Sequence, residues 1–489
     1  MRLVAGVLPG VLAACAGSLT ALTSPPGVAP SPATPWERPP AFESPRPFPT
    51  APAQLPPELS LEKLRAGGEV TLPEAVAIAL ANNPQTQDAW LRARSAAAGL
   101  DHELAAYLPV VSGAATFLHE QQAALGGQFH FEQTVADPSL ALSFLLLDFG
   151  GRDARVVEAE RTLAAADFAH DQAIEDVVLA AEQAYVGYVA QQALVSAEEA
   201  VVKSAQASVA AAQARQSAGL ATRADVLQAA TALANARLNF ESVSGQLGIV
   251  KGSLATALGL PASVEVNVKV EPPRVPVHEL NEKAQALIEE ALVRRPDLAA
   301  ARQRALSSAA RVDELRAALL PSLSLDGSID RVFFLARPGG TTSATNYSVT
   351  LDLQVPIFSG LSRLADIAQA KANAADARVQ STLADQSAQL QVWTSYFNLK
   401  TAARRTAAAQ ELLASATESD GVARGRYQEG LGTILDLLSA QSALANARGS
   451  LVQARAQWYL ALAQLAHDVG TLSPKNVTSP LGPAVGGTP

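Results

Sequence analysis

The feature of this sequence that most constrains its fold is a long internal repeat. Segment Gly219–Arg237 reads GLATRADVLQAATALANAR, and segment Gly430–Arg448 reads GLGTILDLLSAQSALANAR. Gly, Leu, Thr and Asp recur at the same steps, and both segments end in the same six residues. The copies begin at positions 219 and 430, an offset of 211 residues. A repeat with so long an offset predicts two equivalent structural units in tandem.

The composition excludes several classes of protein. Aromatic residues make up 5% of the 489 positions, and a single Cys rules out an intrachain disulfide framework or a CxxC site. A net charge of −9 gives no basic footprint, so no nucleic-acid partner is expected. The sequence has no HExxH, Walker A, GxGxxG or GxSxG motif, and its six His are scattered. We therefore predict no catalytic residues, no cofactor and no metal site.

Each copy contains a stretch without proline that is long enough for a very long helix. The stretches run over 152–217 and 362–428, and each would span roughly 100 Å as a helix. Apolar residues at coiled-coil spacing predict a buried seam on each helix. The first seam comprises Ile174, Val178, Ala181, Tyr185, Tyr188, Gln192 and Val195, and the second Val379, Leu383, Leu390, Trp393 and Phe397.

The repeated segment itself predicts a helical turn. Glycine favours a left-handed helix end, Thr three residues later caps a return helix, and Asp suits the positive end of that helix. These residues are Gly219, Thr222 and Asp225 in the first copy and Gly430, Thr433 and Asp436 in the second. On one interpretation the two Asp serve only to start the return helices.

Before each long helix the periodicity changes to two, which predicts a pair of strands. The alternation is clearest at Tyr347, Val349, Leu351, Leu353, Val355 and Ile357. Weaker equivalents lie at 110–119 and 139–149, and turn-rich loops are expected at 120–138 and 336–345. Strands of about 9–11 residues can cross a membrane when tilted. A soluble hairpin with one buried face fits the same pattern.

The N-terminus resembles a secretory leader. An apolar run precedes the sequence Leu-Ala-Ala-Cys that ends at Cys15, which is similar to a bacterial lipobox. We expect a signal peptide at 1–14 and acylation of Cys15. The alternative is ordinary cleavage at an A-x-A site, which would remove Cys15.

These features divide the chain into six parts. A lipid-anchored flexible linker at 15–68 is rich in Pro, Ala, Ser and Thr. The first repeat follows at 69–260, a short linker at 261–279, and the second repeat at 280–470. Residues 471–489 are expected to form a disordered tail.

The order of two helices, two strands, a very long helix, a Gly-Leu turn and a return helix, present twice, resembles the TolC-like outer-membrane efflux proteins. The most specific matches are Tyr427-x-x-Gly430-Leu431-x-Thr433-x-x-Asp436 with the ALANAR string that follows, and the same turn around Gly219. The resemblance implies an α+β membrane protein in which three chains close one twelve-stranded outer-membrane β-barrel, four strands from each. A long α-helical periplasmic tunnel would continue the barrel.

The resemblance also implies a function and partners. The homotrimer would be a passive duct that receives drugs, metals or a secreted protein from an inner-membrane transporter through a periplasmic adaptor. The turns would form the periplasmic tip and gate, with Gly219, Leu220, Asp225, Tyr427, Gly430, Leu431 and Asp436 as its residues. Three copies of an acidic residue brought together would attract cations.

Two positions depart from the family pattern. Gly432 stands where some members have a gate-locking Arg, and Ser439 stands where some have a second acidic ring. Arg424 or Arg426 would then be substitutes in the closed state. The alternative function is a periplasmic coiled-coil adaptor or scaffold without a pore, although such a protein is expected to have one hairpin rather than two.

Overall fold

In a computed structural model of the chain, the structure describes residues 31–36, 68–124, 128–268, 283–335 and 341–472. The helices and strands in these ranges follow one order twice. The first copy comprises α1 (Leu72–Asn82), α2 (Pro84–Ala105), β1 (Val110–Ala124), β2 (Phe129–Leu147), α3 (Gly151–Ser217) and α4 (Arg223–Ala257). The second comprises α5 (Ala284–Arg294), α6 (Pro296–Ala317), β3 (Ser322–Leu335), β4 (Thr342–Gln354), α7 (Ser362–Gln428) and α8 (Ile434–Val469).

The two very long helices confirm the prediction from the proline-free stretches. Helices α3 and α7 have 67 residues each, and their bounds differ from the predicted ones by one residue at most. None of the helices in the described ranges is both long enough and apolar enough to cross a bilayer.

Proline sets the junction between the two short helices of each copy. Asn83 and Arg295 end α1 and α5 with extended backbone at ψ 125° and 124°, and the next residue, a proline, begins the following helix. A residue before proline is disfavoured in the helical region, and proline is well tolerated in a first turn. The same sequence signal therefore gives the same break in both copies.

The chain divides into two compact units, and the four strands lie in the first, with residues 92–166 and 299–382. They form one antiparallel sheet in the order β1-β2-β3-β4. Tyr347 and Leu353 of the predicted alternation lie opposite Ile329 and Leu323, so the apolar residues of β3 and β4 share one face. The alternation predicted from the sequence is thus confirmed within β4, but its last two residues, Val355 and Ile357, lie beyond the end of that strand.

The strands are longer than predicted, and the expected loop at 120–138 is wrong. Strand β1 extends to Ala124 and β2 starts at Phe129, so most of that loop is sheet. The expected loop at 336–345 also overlaps β4, which starts at Thr342. Pro138 misled the prediction because proline lacks the N–H that a central strand needs. Strand β2 tolerates Pro138 because the missing N–H falls where the β2–β3 ladder is interrupted. Residues 137 and 138 have no partner in β3, whereas Pro138 lies opposite Ala115 of β1.

The predicted seams have different outcomes in the two long helices. In the first, Ile174, Val178 and Ala181 are at most 1% exposed, which confirms it as core. In the second, all five residues are 42–66% exposed, so the prediction of a buried seam is wrong for the single chain. Val392 and Leu399, on another face of α7, are buried instead. Helix α7 therefore presents an apolar face that the described part of its own chain does not cover.

In the second unit, each copy has its own apolar core around its first short helix. Val76 and Ala79 of α1 pack with Ile174 of α3 and Leu254 of α4. In the second copy, α5 packs with buried residues of α7 and α8, including Trp458. The two cores repeat the same arrangement of elements with different residues.

A cluster of charged residues lies where α8 ends. His467 Nε2 is 2.8 Å from Asp176 Oδ1 of α3, and its Nδ1 is 3.2 Å from Asp468 Oδ1. Arg295 is 6% exposed, donates to the backbone carbonyl of Asp468 at 3.1 Å, and forms a bidentate pair with Asp297. The cluster joins α3, the α5–α6 junction and α8 through charge-assisted hydrogen bonds.

Six residues of the predicted linker, 31–36, pack on α3. The Trp36 N–H donates to Asp171 Oδ1 at 2.9 Å, and its ring meets Phe168 edge-on at 5.5 Å. His170 Nε2 donates to the Pro32 carbonyl at 3.0 Å. Part of the linker that was expected to be flexible therefore packs on helix α3.

Candidate functional site

The candidate site consists of the two helical turns at Gly219 and Gly430. In the first turn, Leu220 N–H bonds the Arg215 carbonyl at 2.8 Å, and Gly219 N–H bonds the Gln216 carbonyl at 2.9 Å. This pair of bonds is a Schellman motif, which closes the C-terminus of a helix and requires a left-handed residue.

The second turn has the same bonds, from Leu431 to Arg426 and from Gly430 to Tyr427. Gly219 and Gly430 have φ of +73° and +77°, which confirms the predicted left-handed helix ends.

Both return helices begin with a capping box. The Asp225 N–H donates to the Thr222 hydroxyl, and the Thr222 N–H donates back to the Asp225 carboxylate at 2.7 Å. Thr433 and Asp436 repeat this geometry, with the backbone bond at 3.0 Å. Each turn is thus closed by a Schellman motif before it and a capping box after it.

The two turns differ in the side chains that support them. Tyr427, Ile434 and Leu437 form a small buried cluster under the second turn. The first copy has Gln216 and Arg223 at the positions that correspond to Tyr427 and Ile434, both of them exposed. The second turn is therefore fixed by apolar contacts that the first lacks.

Each turn also exposes a leucine at its tip. Leu220 is 69% exposed and Leu431 is 73% exposed. A Schellman motif is often accompanied by an apolar contact of this residue with its own helix. Both leucines are instead available to a partner.

The acidic residues of the site are engaged by their own turns. Hydrogen bonds from the Thr433 side chain and backbone hold the pKa of the fully exposed Asp436 below its usual range. Asp225 is half-buried and bonds its own capping residue. Both carboxylates therefore help to start the return helices, as one interpretation of the sequence predicted. Their role in a gate stays a prediction.

Tyr427 and Asp225 are close enough to interact electrostatically, yet the hydroxyl of Tyr427 is buried and has no hydrogen-bond partner in the described chain. Burial raises the pKa of Tyr427, with Arg215 acting against and Asp225 in favour of that rise.

The local packing explains why residue 432 is a glycine. A Cβ at this position would lie 3.3 Å from the Cβ of Arg426 and 3.4 Å from the Tyr427 nitrogen. Its N–H also bonds the Arg426 carbonyl at 3.1 Å. Close approach to the end of α7 therefore favours glycine at this position, where the resemblance predicted a departure from the family pattern.

The two arginines proposed as substitutes make local contacts. Arg424 pairs with Asp420 at 3.1 Å, one turn earlier in the same helix. Arg426 is exposed, and its Nη2 lies 3.4 Å from the Leu431 carbonyl in its own turn. Within the described residues, neither arginine bonds the first turn, and Ser439 is exposed.

Sequence reasoning missed Arg215, which reaches the second turn. Its Nη1 donates to the Tyr427 carbonyl at 2.6 Å, and its guanidinium carbon lies 5.0 Å from the centre of the Tyr427 ring. Arg215 occupies the same repeat position as Arg426, but no sequence signal distinguishes the two. Cys15, the predicted lipidation site, lies outside the described residues.

Comparison with known proteins agrees with this architecture. The family model described as outer membrane efflux protein matches residues 75–260 and 287–471, one match for each copy. The chain is 29% identical over 391 residues to protein CyaE of Bordetella pertussis, which covers 78% of this chain and 80% of that protein.

Solved structures have the same fold. A membrane protein from Pseudomonas aeruginosa aligns with a TM-score of 0.73 at 25% identity, covering 82% of this chain and 93% of that one. The Campylobacter jejuni outer membrane channel CmeC aligns with a TM-score of 0.72 at 19% identity, covering 82% and 85%. Because the family model matches most of the chain in two copies, this protein belongs to the outer membrane efflux protein family.

Proposed function

We propose that this chain is the outer-membrane channel of a tripartite efflux or type I secretion system. It is a passive duct that exports small molecules or proteins, and it has no catalytic role of its own. Membership of the outer membrane efflux protein family supports this function. The match of that family to both copies also favours the duct over a pore-less scaffold with a single hairpin.

The observation that carries the proposal is the four-stranded sheet. In the described chain, β1 pairs only with β2, and β4 pairs only with β3, so both outer edges are free. Unpaired edges cannot lie in lipid, where no water satisfies the backbone. Three copies joined edge to edge remove every free edge and give twelve strands.

The exposed side chains of β4 fit a surface that faces lipid. Tyr347, Val349, Leu351 and Leu353 are 62–83% exposed and lie on one face of the strand. A soluble hairpin would cover such a face with a core. Here the first unit leaves it open, as expected of the outer surface of a membrane barrel.

The exposed apolar face of α7 supports a homotrimer as well. Leu390, Trp393 and Phe397 are 66%, 49% and 42% exposed, at a spacing typical of helix packing. A neighbouring copy of the chain would cover them. The turns at Gly219 and Gly430 would then form the periplasmic tip, where an adaptor docks and links the duct to an inner-membrane transporter.

A pair of substitutions in β4 tests this assembly. Val349→Arg places a charge on the proposed lipid face and should cost about 2–4 kcal/mol near the middle of the membrane. Thr350→Arg is the matched control, because residue 350 lies on the other face, opposite Asp326. We expect a detergent-resistant trimer, with three times the mass of the mature chain, in the wild type and the control, and loss of that trimer in Val349→Arg. A wild-type chain that is monomeric in mild detergent would contradict the proposal.

The acidic tip is tested by conductance. Asp436→Ala should lower the preference of the reconstituted channel for cations, because three carboxylates are removed from one ring. If conductance and selectivity in a planar bilayer do not change, Asp436 is not part of the gate.

A further inference from the structure

The two long helices both end at the candidate site, and helix ends carry charge. The C-terminus of a helix is equivalent to roughly half a negative charge, because its last carbonyls have no partner in the helix. Helices α3 and α7 therefore bring two partly negative ends to the tip. A cation between them would stabilise their contact.

Arg215 is placed to provide that cation. It lies in the last turn of α3 and is half-buried. Its Nη1 donates to the Tyr427 carbonyl at 2.6 Å and lies 3.4 Å from the Gln428 carbonyl, both in the last turn of α7. The Tyr427 carbonyl also accepts the Gly430 N–H at 3.2 Å, so both of its lone pairs are engaged.

The shape of the second turn makes room for this contact. The Arg215 guanidinium lies over the Tyr427 ring, with 5.0 Å between its carbon and the ring centre, within range of a cation–π interaction. A Cβ at Gly430 would lie 3.4 Å from Arg215 Nη2. Glycine at this position thus permits both the left-handed turn and the approach of the arginine.

The repeat provides an internal comparison. Arg426 has the same position in the second copy as Arg215 has in the first, yet it is exposed, and among the described residues its side chain hydrogen bonds only to its own turn. Two equivalent arginines therefore have unequal contacts. The difference follows from Tyr427, since the first copy has Gln216 at the corresponding position.

We propose that Arg215 is a positioning residue that holds the first turn against the second within each chain, and so helps to keep the tip of the duct closed. This inference rests on the proposed function, because it assigns the tip as the gate. A second contact lies farther up the same helices, where the side chains of Ser208 and Gln441 hydrogen bond to each other at 3.1–3.2 Å. Among the described residues, Arg215 is the polar link between α3 and the second hairpin that lies nearest the two turns.

The test compares Arg215→Gln with a charge-matched control on the same helix. Lys203→Gln also removes one positive charge from α3, but the Lys203 side chain is 71% exposed and, in the part of the chain that the structure describes, pairs only with Glu199, one turn away. In planar bilayers, Arg215→Gln should shift the closed–open equilibrium about tenfold or more towards the open tip, as expected for loss of a charge-assisted hydrogen bond. Lys203→Gln should conduct as the wild type does. Arg215→Lys keeps the charge without the planar fork and should lie between them.

A second experiment replaces the contact made by Arg215 with a covalent cross-link between the same two hairpins. In the Arg215→Gln background, Ser208→Cys with Gln441→Cys, joined by a short bismaleimide, should return the leak to the wild-type level. Equal leak in Arg215→Gln and Lys203→Gln, or leak in Arg215→Gln that persists after complete cross-linking, would overturn the proposal. A wild-type protein that forms no channels under any condition would instead refute the proposed function.

Discussion

The charged cluster at the end of α8 leads to a prediction about the titration of His467. Burial alone lowers the pKa of His467, but hydrogen bonds to Asp176 and Asp468 outweigh it and raise the pKa to about 9, from an ordinary 6.5. Its side chain is 12% exposed, so the cluster is poorly screened by solvent. The same contacts hold the pKa of both aspartates below the usual range, against the effect of their burial.

The sign and size of the effect follow from linkage. A base whose pKa is raised on folding binds its proton more tightly in the folded state, so its contribution is complete below pH 6.5. That contribution is lost as the pH rises through about 9. A rise from 6.5 to about 9 corresponds to roughly 3 kcal/mol, at about 1.4 kcal/mol for each pH unit. Nearby Glu175 acts in the same direction between pH 4.5 and 8, because burial raises its pKa to about 8.

Hydrogen–deuterium exchange at the C2 position of histidine, followed by mass spectrometry, measures this pKa residue by residue. We expect the exchange at His467 to reach its midpoint near pH 9 in the folded protein. Asp176→Asn should lower that midpoint. The decrease should be smaller than the whole rise of the His467 pKa, because the Asp176 side chain is 53% exposed.

Glu199→Gln is the control, since it removes an exposed carboxylate from the same helix. A midpoint for His467 near 6.5, or no response to Asp176→Asn, would refute the argument from the cluster.

Four further predictions concern single positions. Leu254→Ala should cost about 2–5 kcal/mol in stability by emptying a fully buried site, and urea denaturation followed by circular dichroism should give an earlier midpoint. Thr433→Ala removes an N-cap and should cost about 1 kcal/mol, while Thr433→Ser in the same assay should cost little. Gly432→Ala should perturb the second turn because its Cβ would lie 3.3 Å from that of Arg426, and increased amide exchange confined to this turn is the expected signal. Intact mass of the mature protein should show an acylated Cys15, and an unmodified chain that starts at residue 17 would contradict lipidation.

The sequence was sufficient for the elements that depend on local chemistry. Proline-free stretches predicted α3 and α7 to within one residue, because helix propagation is interrupted mainly by proline and glycine. The turns at Gly219 and Gly430 were predictable for the same reason, since left-handed glycine and Thr–Asp caps act within a few residues.

What depends on tertiary partners was not predictable. Periodicity located the apolar stripe at Trp393 on α7 but did not tell what covers it, and the single chain leaves it exposed. The contact between Arg215 and Tyr427 joins positions 212 residues apart and has no local signal. Pro138 indicated a loop, but the strand continues through it because two residues of the β2–β3 ladder are left unpaired.

The equal length of α3 and α7, at 67 residues each, restricts which insertions and deletions the chain can tolerate. One added residue would move everything beyond it by about 1.5 Å and turn it by about 100° around the axis. A buried stripe would then face solvent, and Arg215 would point away from its carbonyl. Seven residues, close to two full turns, would rotate the end by only about 20°. Insertions or deletions in one long helix should therefore be multiples of seven residues. The other long helix should change by the same number, so that Arg215 still reaches the Tyr427 carbonyl.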